Sequence, residues 1–452
     1  MPASIRFDES DMKTSLEPRA IPFSPPDISE AEISEVLAAL RSGWITTGPR
    51  TKLLERRLAA YIETGCAGCD TESDPSRWSN RVVCLNSATA AEELNLRILG
   101  VGPGDEVIVP AYTYTATASA AIHCGATVVF VDSRKDGSAD THAPEMDYDA
   151  LAAAITPRTK AVVPVDIGGC VCDYDRIFAA VASKASLFSP KSDDGTPLGG
   201  LSLRIQSALG RVAVVADGAH SLGASRVVGG TRLNCGAIAD FTSFSFHAVK
   251  NFTTAEGGAS VWRSLPGIDD AEIYRFYQLL SLHGQNKDAL AKTKPGAWEY
   301  DILGPWYKCN LTDVAAAIGL RQLDRYPALL ARRRAIVEAY DAACDRLGLD
   351  HLVHFSGTVQ SSAHLYPVRI PGASEARRNE VIERMARRGV ATNVHYKPLP
   401  LFSAYRALGW DIASFPNAFG YYRNLLSLPL YTLLSDDDVA RVCGALAEAV
   451  AT

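Results

Sequence analysis

Ser245-Phe246-His247-Ala248-Val249-Lys250-Asn251-Phe252-Thr253-Thr254-Ala255-Glu256-Gly257-Gly258 starts within an apolar run, Phe241–Phe246, that reads as a buried strand, and places one lysine just beyond it among hydroxyls and glycines. A lysine near its solution pKa is almost wholly protonated and a poor nucleophile. One that must form a Schiff base needs burial or neighbouring groups to lower that pKa. Lys250 has such a setting, although lysines in loops are ordinarily solvated surface residues. What surrounds the other strand ends decides between the two. His247 reads as a packing or orienting residue, and Glu256 as part of the turn that Gly257 and Gly258 make possible.

Upstream of this run, short apolar segments alternate with helical periodicity, the pattern of a largely parallel sheet with crossover helices. Strands are predicted over Val82–Leu85, Glu106–Val109, Thr127–Val131, Ala161–Val165, Val212–Ala216 and Phe241–Phe246. Most are continuous apolar runs, as strands covered on both faces should be. Ile28 to Leu40 is the clearest helix, with a capping box at Ser29 and Glu32, Ile33, Val36, Leu37 and Leu40 on one face, and Gly43 as a stop. Two segments, 65–80 and 186–210, are rich in Gly, Ser, Asp and Pro and read as surface loops or insertions. From Asp313 the character changes to helices over Val314–Leu323 and Leu329–Leu347, then a strand-like Leu365–Ile370 and a helix over Glu375–Arg388. The division expected is an N-terminal segment and large domain over 1–300 and a small C-terminal domain over 301–452.

The chain has 452 residues, 47% hydrophobic and 21% charged, with a formal charge of −6 and scattered Lys and Arg. Neither a nucleic-acid footprint nor a polybasic membrane patch follows from this. No run reaches the roughly 20 apolar residues that span a bilayer, and Met1 to Glu17 is polar and acidic, so a cytoplasmic protein is expected. Of the ten cysteines, Cys84, Cys124, Cys235, Cys344 and Cys443 stand singly in apolar runs. The pairs Cys66/Cys69 and Cys170/Cys172 lack the spacing of a four-cysteine zinc site, and no metal is expected.

Ligands of a parallel sheet sit beyond the carboxyl ends of its strands. After Val82–Leu85 come Ser87, Ala88 and Thr89, small residues opening a helix whose free N–H groups suit a phosphate. After Glu106–Val109 comes Tyr114, an aromatic face for a planar ring. After Val212–Ala216 comes Asp217, a carboxylate that needs a cationic partner if buried. A protonated pyridine nitrogen is such a partner, and an acid there makes pyridoxal phosphate a strong electron sink. With Lys250 and Ser245 at the fourth strand end, imine anchor, ring-nitrogen partner, stacking face and phosphate cup are all present.

These residues resemble the DegT/StrS sugar aminotransferases, enzymes of the fold-type I pyridoxal-phosphate class. Ser42-Gly43-Trp44-Ile45-Thr46-Thr47-Gly48-Pro49, Ser87-Ala88-Thr89-Ala90, Asp217-Gly218-Ala219-His220 and Ser245 to Gly258 are similar to the family's motifs. The resemblance implies a mostly parallel seven-stranded sheet with helices on both faces, and a smaller C-terminal α/β domain. It implies that Lys250 carries pyridoxal 5'-phosphate as a Schiff base, with pyridoxamine phosphate as the intermediate form. Asp217 would bind the ring nitrogen, His220 would lie near the ring hydroxyl, Tyr114 would stack on the ring, and Ser87, Ala88, Thr89 and Ser245 would hold the phosphate. Asn310, in Tyr307-Lys308-Cys309-Asn310-Leu311-Thr312-Asp313, would reach the phosphate of a neighbouring subunit, which implies a homodimer with shared sites. Trp44, Thr46, His395 and Tyr396 fall on the substrate side.

The wording around Asn310 and the Ala-Glu-Gly-Gly ending are most similar to aminotransferases acting on the C4 ketone of nucleotide-linked sugars, such as the UDP-4-amino-4-deoxy-L-arabinose enzymes. Gly218 and Cys309 depart from the usual Ala and Tyr. The expected activity is a transaminase moving an amino group from L-glutamate to a nucleotide-linked keto-deoxysugar. A dehydratase of the same fold would carry His where Lys250 stands, and a regulatory relative should have lost the cofactor groups retained here.

Overall fold

A computed structural model of the chain describes residues 19–135, 137–286 and 299–451. The acidic start over Met1–Glu17 lies outside them. In chain order the first elements are α1 (Glu30–Arg41), α2 (Pro49–Thr64), α3 (Pro75–Trp78), β1 (Val82–Leu85), α4 (Ala88–Ile98), β2 (Glu106–Pro110), α5 (Thr115–His123) and β3 (Thr127–Val131). Next come α6 (Tyr148–Ala154), β4 (Thr159–Val162), α7 (Tyr174–Ser183), α8 (Pro197–Leu209), β5 (Ala213–Asp217), the hairpin β6 (Ser225–Val228) and β7 (Thr231–Asn234), β8 (Phe241–Ser245) and β9 (Gly258–Trp262). The remainder is built on α9 (Asp270–Ser281), α10 (Asp313–Leu347), β10 (Asp350–His351), β11 (Val359–Gln360), β12 (Tyr366–Arg369), α11 (Glu375–Arg387), the short helices α12 (Ser403–Ala407) and α13 (Pro416–Tyr422), β13 (Leu425–Leu428) and α14 (Asp436–Val450).

The main sheet has seven strands in the order β1-β9-β8-β5-β4-β2-β3. All are parallel except β9, which runs antiparallel to both β1 and β8. This strand escapes a reading for apolar runs because it begins Gly258-Ala259-Ser260, residues of low strand propensity. Separate apolar clusters cover the two faces of the sheet, one including Val214, Phe244 and Leu323 and the other Val215, Phe241 and Leu94. The alternation of Val214 and Val215 between them is what a doubly covered strand requires. A third cluster, around Tyr340, Tyr366 and Leu426, joins α10 to the three-stranded sheet β10-β12-β13.

Four expectations need correction. The predicted strand over Ala161–Val165 stops at Val162, because Pro164 has no N–H to give the ladder. The second half of 186–210 is not a loop but α8, capped by Thr196 with Pro197 at its first turn and Gly210 in the left-handed conformation at its end. Leu201 and Ile205 are fully buried there. The helices expected over Val314–Leu323 and Leu329–Leu347 are one continuous helix with Pro327 inside it. Buried Leu323, Tyr326, Leu329 and Arg333 hold both halves, and the Tyr326 hydroxyl donates to Leu222 O at 2.8 Å. Finally, α1 has its capping box at Ser29 and Glu32, yet its apolar side faces outward. Glu32 is buried against Gln322 and Arg325, while Ile33 and Leu40 are 44% and 51% exposed. Among the described residues no helix is long and apolar enough to cross a membrane.

Candidate active site

The carboxyl ends of β1, β2, β5 and β8 open on a cavity of about 370 Å³. Ser87, Ala88, Thr89, Tyr114, Asp217, His220, Ser245, Lys250, His395 and Tyr396 all line it. At one end Ser87 caps α4, its Oγ accepting the Ala90 N–H at 3.1 Å. The helix then presents its first N–H groups and the positive end of its dipole to the cavity. Ser245 Oγ accepts the His247 N–H at 3.4 Å, which leaves its own proton to donate. The turn can lie this low only because residue 258 is glycine. A Cβ there would stand 2.4 Å from Ser87 C and 2.5 Å from Ala88 N.

At the opposite end Asp217 is 5% exposed. Its Oδ2 accepts the Thr117 hydroxyl at 2.7 Å and its Oδ1 the Ala219 N–H at 3.1 Å. Burial pushes this carboxyl above its usual range, opposed by those two donors and by the charge of Lys250. Burial lowers the Lys250 amine to about 8, against a smaller upward pull from Asp217. A lysine with that value is about one tenth neutral at pH 7, against about 0.03% for an unperturbed one. The setting inferred from sequence therefore delivers a nucleophilic amine.

His220 is kept neutral, pushed well below its ordinary value by burial and then by Lys250 and His395. Its Nδ1 accepts the Gly168 N–H at 3.2 Å, and its Nε2 lies 3.0 Å from the Tyr396 hydroxyl. Tyr112 ties the His395-Tyr396 segment to β2's end, donating to His395 O and accepting the Tyr396 N–H, each at 2.8 Å. His395 itself is lowered to about 4, by burial first and Lys250 second. Tyr114 stands 59% exposed at the cavity wall, its ring 5.8 Å from that of Tyr396.

Three candidates lie elsewhere. Asn310 and Thr46 border a separate small pocket with Thr47 and Gln278, where Asn310 is bonded to Thr47 and Lys308. Trp44 lines neither cavity; its Nε1 donates to Thr47 O at 3.1 Å and its ring covers Gly48. Sequence reasoning also missed members of the site. Thr117, Gly168 and the His364 ring, 4.4 Å from His220, come from elements with no local signal. Glu92, an acid on the cavity side of α4, was also missed.

The donor set fits pyridoxal phosphate. A helix N-terminus and two serine hydroxyls suit the phosphate, a buried carboxylate suits a cationic ring nitrogen, and an amine with a lowered pKa suits an aldehyde. Gly258, where a Cβ would collide with the backbone of Ser87 and Ala88, lets β9 pass close beneath the start of α4.

Residues 26–188 and 204–447 match the DegT/DnrJ/EryC1/StrS aminotransferase family. The unmatched 189–203 falls within the segment predicted as an insertion, whereas 65–80 lies inside the match. The chain is 35% identical to the spore coat polysaccharide biosynthesis protein SpsC of Bacillus subtilis over 95% of its own length and 97% of SpsC. It is similar to Spr1654 of Streptococcus pneumoniae, assigned as a sugar aminotransferase, whose PLP form superposes with a TM-score of 0.84 at 50% identity, covering 95% of this chain and 98% of that one. Spr1654 has also been solved in a PMP form. The aminotransferase TlmJ of Streptoalloteichus hindustanus gives a TM-score of 0.74 at 30% identity, covering 95% of this chain and 99% of TlmJ. With both segments of the family matched across the whole cavity, the chain belongs to the DegT/DnrJ/EryC1/StrS aminotransferase family.

Proposed function

We propose that this sugar aminotransferase moves an amino group from L-glutamate to the C4 keto group of a nucleotide-linked keto-deoxysugar, in the cytoplasm, with pyridoxal phosphate as its cofactor. The observation that carries the cofactor chemistry is the pairing of a Lys250 amine lowered to about 8 with a buried Asp217 in one cavity. When bound, the cofactor supplies an electrophilic carbon and a protonated ring that withdraws electrons. Lys250 would anchor it and, with its amine free, would serve as the base and acid that moves the proton at the amino donor's Cα. Asp217 would keep the ring nitrogen protonated, Ser87, Ala88, Thr89 and Ser245 would hold the phosphate, and Tyr114 would cover the ring. Neutral His220 would lie near the ring hydroxyl, His395 and the Tyr396 hydroxyl would fall on the substrate side, and burial of His395 removes a charge that would repel the Lys250 ammonium.

We place Asn310, Thr46 and Trp44 in the site of a second copy of the chain, in a homodimer. Supporting this, they stand apart from the cavity of their own chain. In addition, the exposed apolar side of α1 forms a groove of about 340 Å³ with Ala248, Ala255 and Ile318, beside the Lys250 loop. An apolar face of this kind on a folded protein is commonly an interface. The division at residue 300 into large and small domains remains the working boundary of the proposal.

The test is to convert the protein to its pyridoxamine-phosphate form and mix it with a panel of nucleotide-linked keto sugars, varying nucleotide and keto position. Return of the pyridoxal absorbance with a C4-keto sugar and formation of its amine is the expected result. Return only with a C3-keto sugar, or with none bearing a nucleotide, would reject the C4 nucleotide-sugar assignment.

A further inference from the structure

Glu92 lies one turn inside α4 and faces the cavity. It is 1% exposed, and its Oε1 meets no hydrogen-bond partner. A buried acid without a partner costs stability that an apolar side chain at the same place would not. The missing partner is to be sought in what the cavity binds.

The sheet beneath explains where Glu92 sits. Asp217, Ser243 and Ser260 are paired across β5, β8 and β9, so their side chains leave the sheet on one face. Ser260 and Tyr277 both donate to Asn95 of α4, which identifies that face as the one α4 covers. Glu92 and Asn95, three residues apart, share one side of the helix. Glu92 thus stands over the Asp217 end of a polar row.

The charges around it are few. Asp217 faces it from β5, while β8 and β9 offer only the hydroxyls of Ser243, Ser245 and Ser260, α5 that of Thr117, and α9 that of Tyr277. On α4 itself Glu93 is turned away to Arg97, His123 and Tyr307. Lys250 acts on Asp217, and neutral His220 completes that end. Burial, with Asp217 adding to it, pushes the Glu92 carboxyl well above its usual range.

We propose that Glu92 and Asp217 form one coupled carboxyl pair at the ring-nitrogen end of the bound cofactor, Glu92 keeping a proton while that end lacks its cation and releasing it to solvent as the cation binds. Glu92 is then a positioning residue, acting through Asp217 and the local charge. The inference rests on the pyridoxal-phosphate reading of the cavity. Two interacting carboxyls titrate as a pair, and a cation between them draws protons off the pair.

The experiment uses the full chain stripped of cofactor, as wild type, Glu92→Gln and Glu92→Leu, with pyridoxamine 5'-phosphate as the probe because it has the ring but cannot condense with Lys250. Calorimetry in two buffers of different ionisation enthalpy, at pH 6, 7 and 8, counts the protons exchanged. Wild type should release up to about one proton more than Glu92→Gln within this range, and its affinity relative to that variant should rise with pH by up to about tenfold per unit. Equal proton counts with a pH-independent affinity ratio would overturn the inference and leave the cofactor assignment standing. Failure of the wild type to bind the probe at all would overturn both. Glu92→Leu should match Glu92→Gln in proton count; should it fail to fold, Glu92→Gln, which keeps the shape, still decides.

Discussion

His220 donates from Nε2 to the Tyr396 hydroxyl, 3.0 Å away, because the Gly168 N–H already occupies Nδ1 and fixes the tautomer. The phenol oxygen of this cavity-lining residue is therefore an acceptor on the His220 side, which leaves its own proton to donate elsewhere. Burial keeps that phenol from ionising, raising it above its ordinary value.

Tyr396→Phe removes both halves of this arrangement while keeping the ring beside Tyr114. Removing one side-chain hydroxyl partner from a substrate contact typically costs about 1–3 kcal/mol. The expected result is a fall of about tenfold to a hundredfold in kcat/KM for the sugar half-reaction, with the amino-donor half-reaction and cofactor affinity nearly unchanged. Equal losses in both halves would remove Tyr396 from the sugar side.

Lys250 gives a pH prediction whose sign is fixed by the direction of its shift. Lowered to about 8, the amine is protonated below that pH and gains neutral form about tenfold per unit up to it. Capture of pyridoxal phosphate by the cofactor-free protein, followed by absorbance, should accelerate from pH 6 to about 8 and then level off. For stability the sign follows from a folded pKa below the unfolded one. The protonated lysine penalises the fold below about pH 8, and that penalty fades as pH rises toward 10.5. Lys250→Ala should abolish both the capture and the covalent label fixed by borohydride.

The sheet strands were legible because most buried ones are continuous apolar runs, and the site was legible because its chemistry stands just beyond the strand ends. Lys250, Asp217, Ser87 and Tyr114 each follow such a run within a few residues. β9 was illegible because its glycine, alanine and serine serve close approach to α4 rather than apolar burial. The unbroken course of α10 through Pro327 and the outward apolar face of α1 are decided by tertiary contacts, to Leu222 and to Arg325, that no local window contains. Thr117, whose hydroxyl holds Asp217 from a hundred residues away, was hidden for the same reason.

Asp217→Ala separates holding the cofactor from using it. The phosphate cup and Lys250 remain, so cofactor retention should change by less than about tenfold. Loss of the buried counter-charge removes the electrostatic stabilisation of charge developing on the ring, and kcat should fall by about a thousandfold. Retention measured by dialysis and turnover measured on the same preparations check this; parallel losses would mean that Asp217 is an anchor alone.

Gly258→Ala tests the close approach of β9 to the helix start that carries Ser87 and Ala88. The added methyl would meet Ser87 C, Ala88 N and Phe244 O at 2.4, 2.5 and 2.7 Å. All three are backbone atoms, so the turn itself must move. Overpacking of this kind costs about 1–3 kcal/mol. A lowered Tm together with weakened cofactor binding is expected, and a variant with lowered Tm but undiminished binding of inorganic phosphate and cofactor would show that the cradle does not depend on this contact.

Mixing two inactive variants tests whether sites are shared between copies. If Asn310 serves the neighbouring chain's cofactor, Lys250→Ala and Asn310→Ala homodimers are both impaired, each for its own reason. A mixed dimer then contains one site with both substitutions and one with neither. Random exchange makes about half of all dimers mixed by symmetry of a two-chain assembly, so activity should recover to about a quarter of wild type after mixing under conditions that let subunits exchange. Were Asn310 to act within its own chain, the mixed dimer would hold one damaged residue in each site, and mixing would restore nothing above the average of the two variants. Sedimentation of each preparation checks that the chains associate, and the recovered rate distinguishes the two arrangements directly.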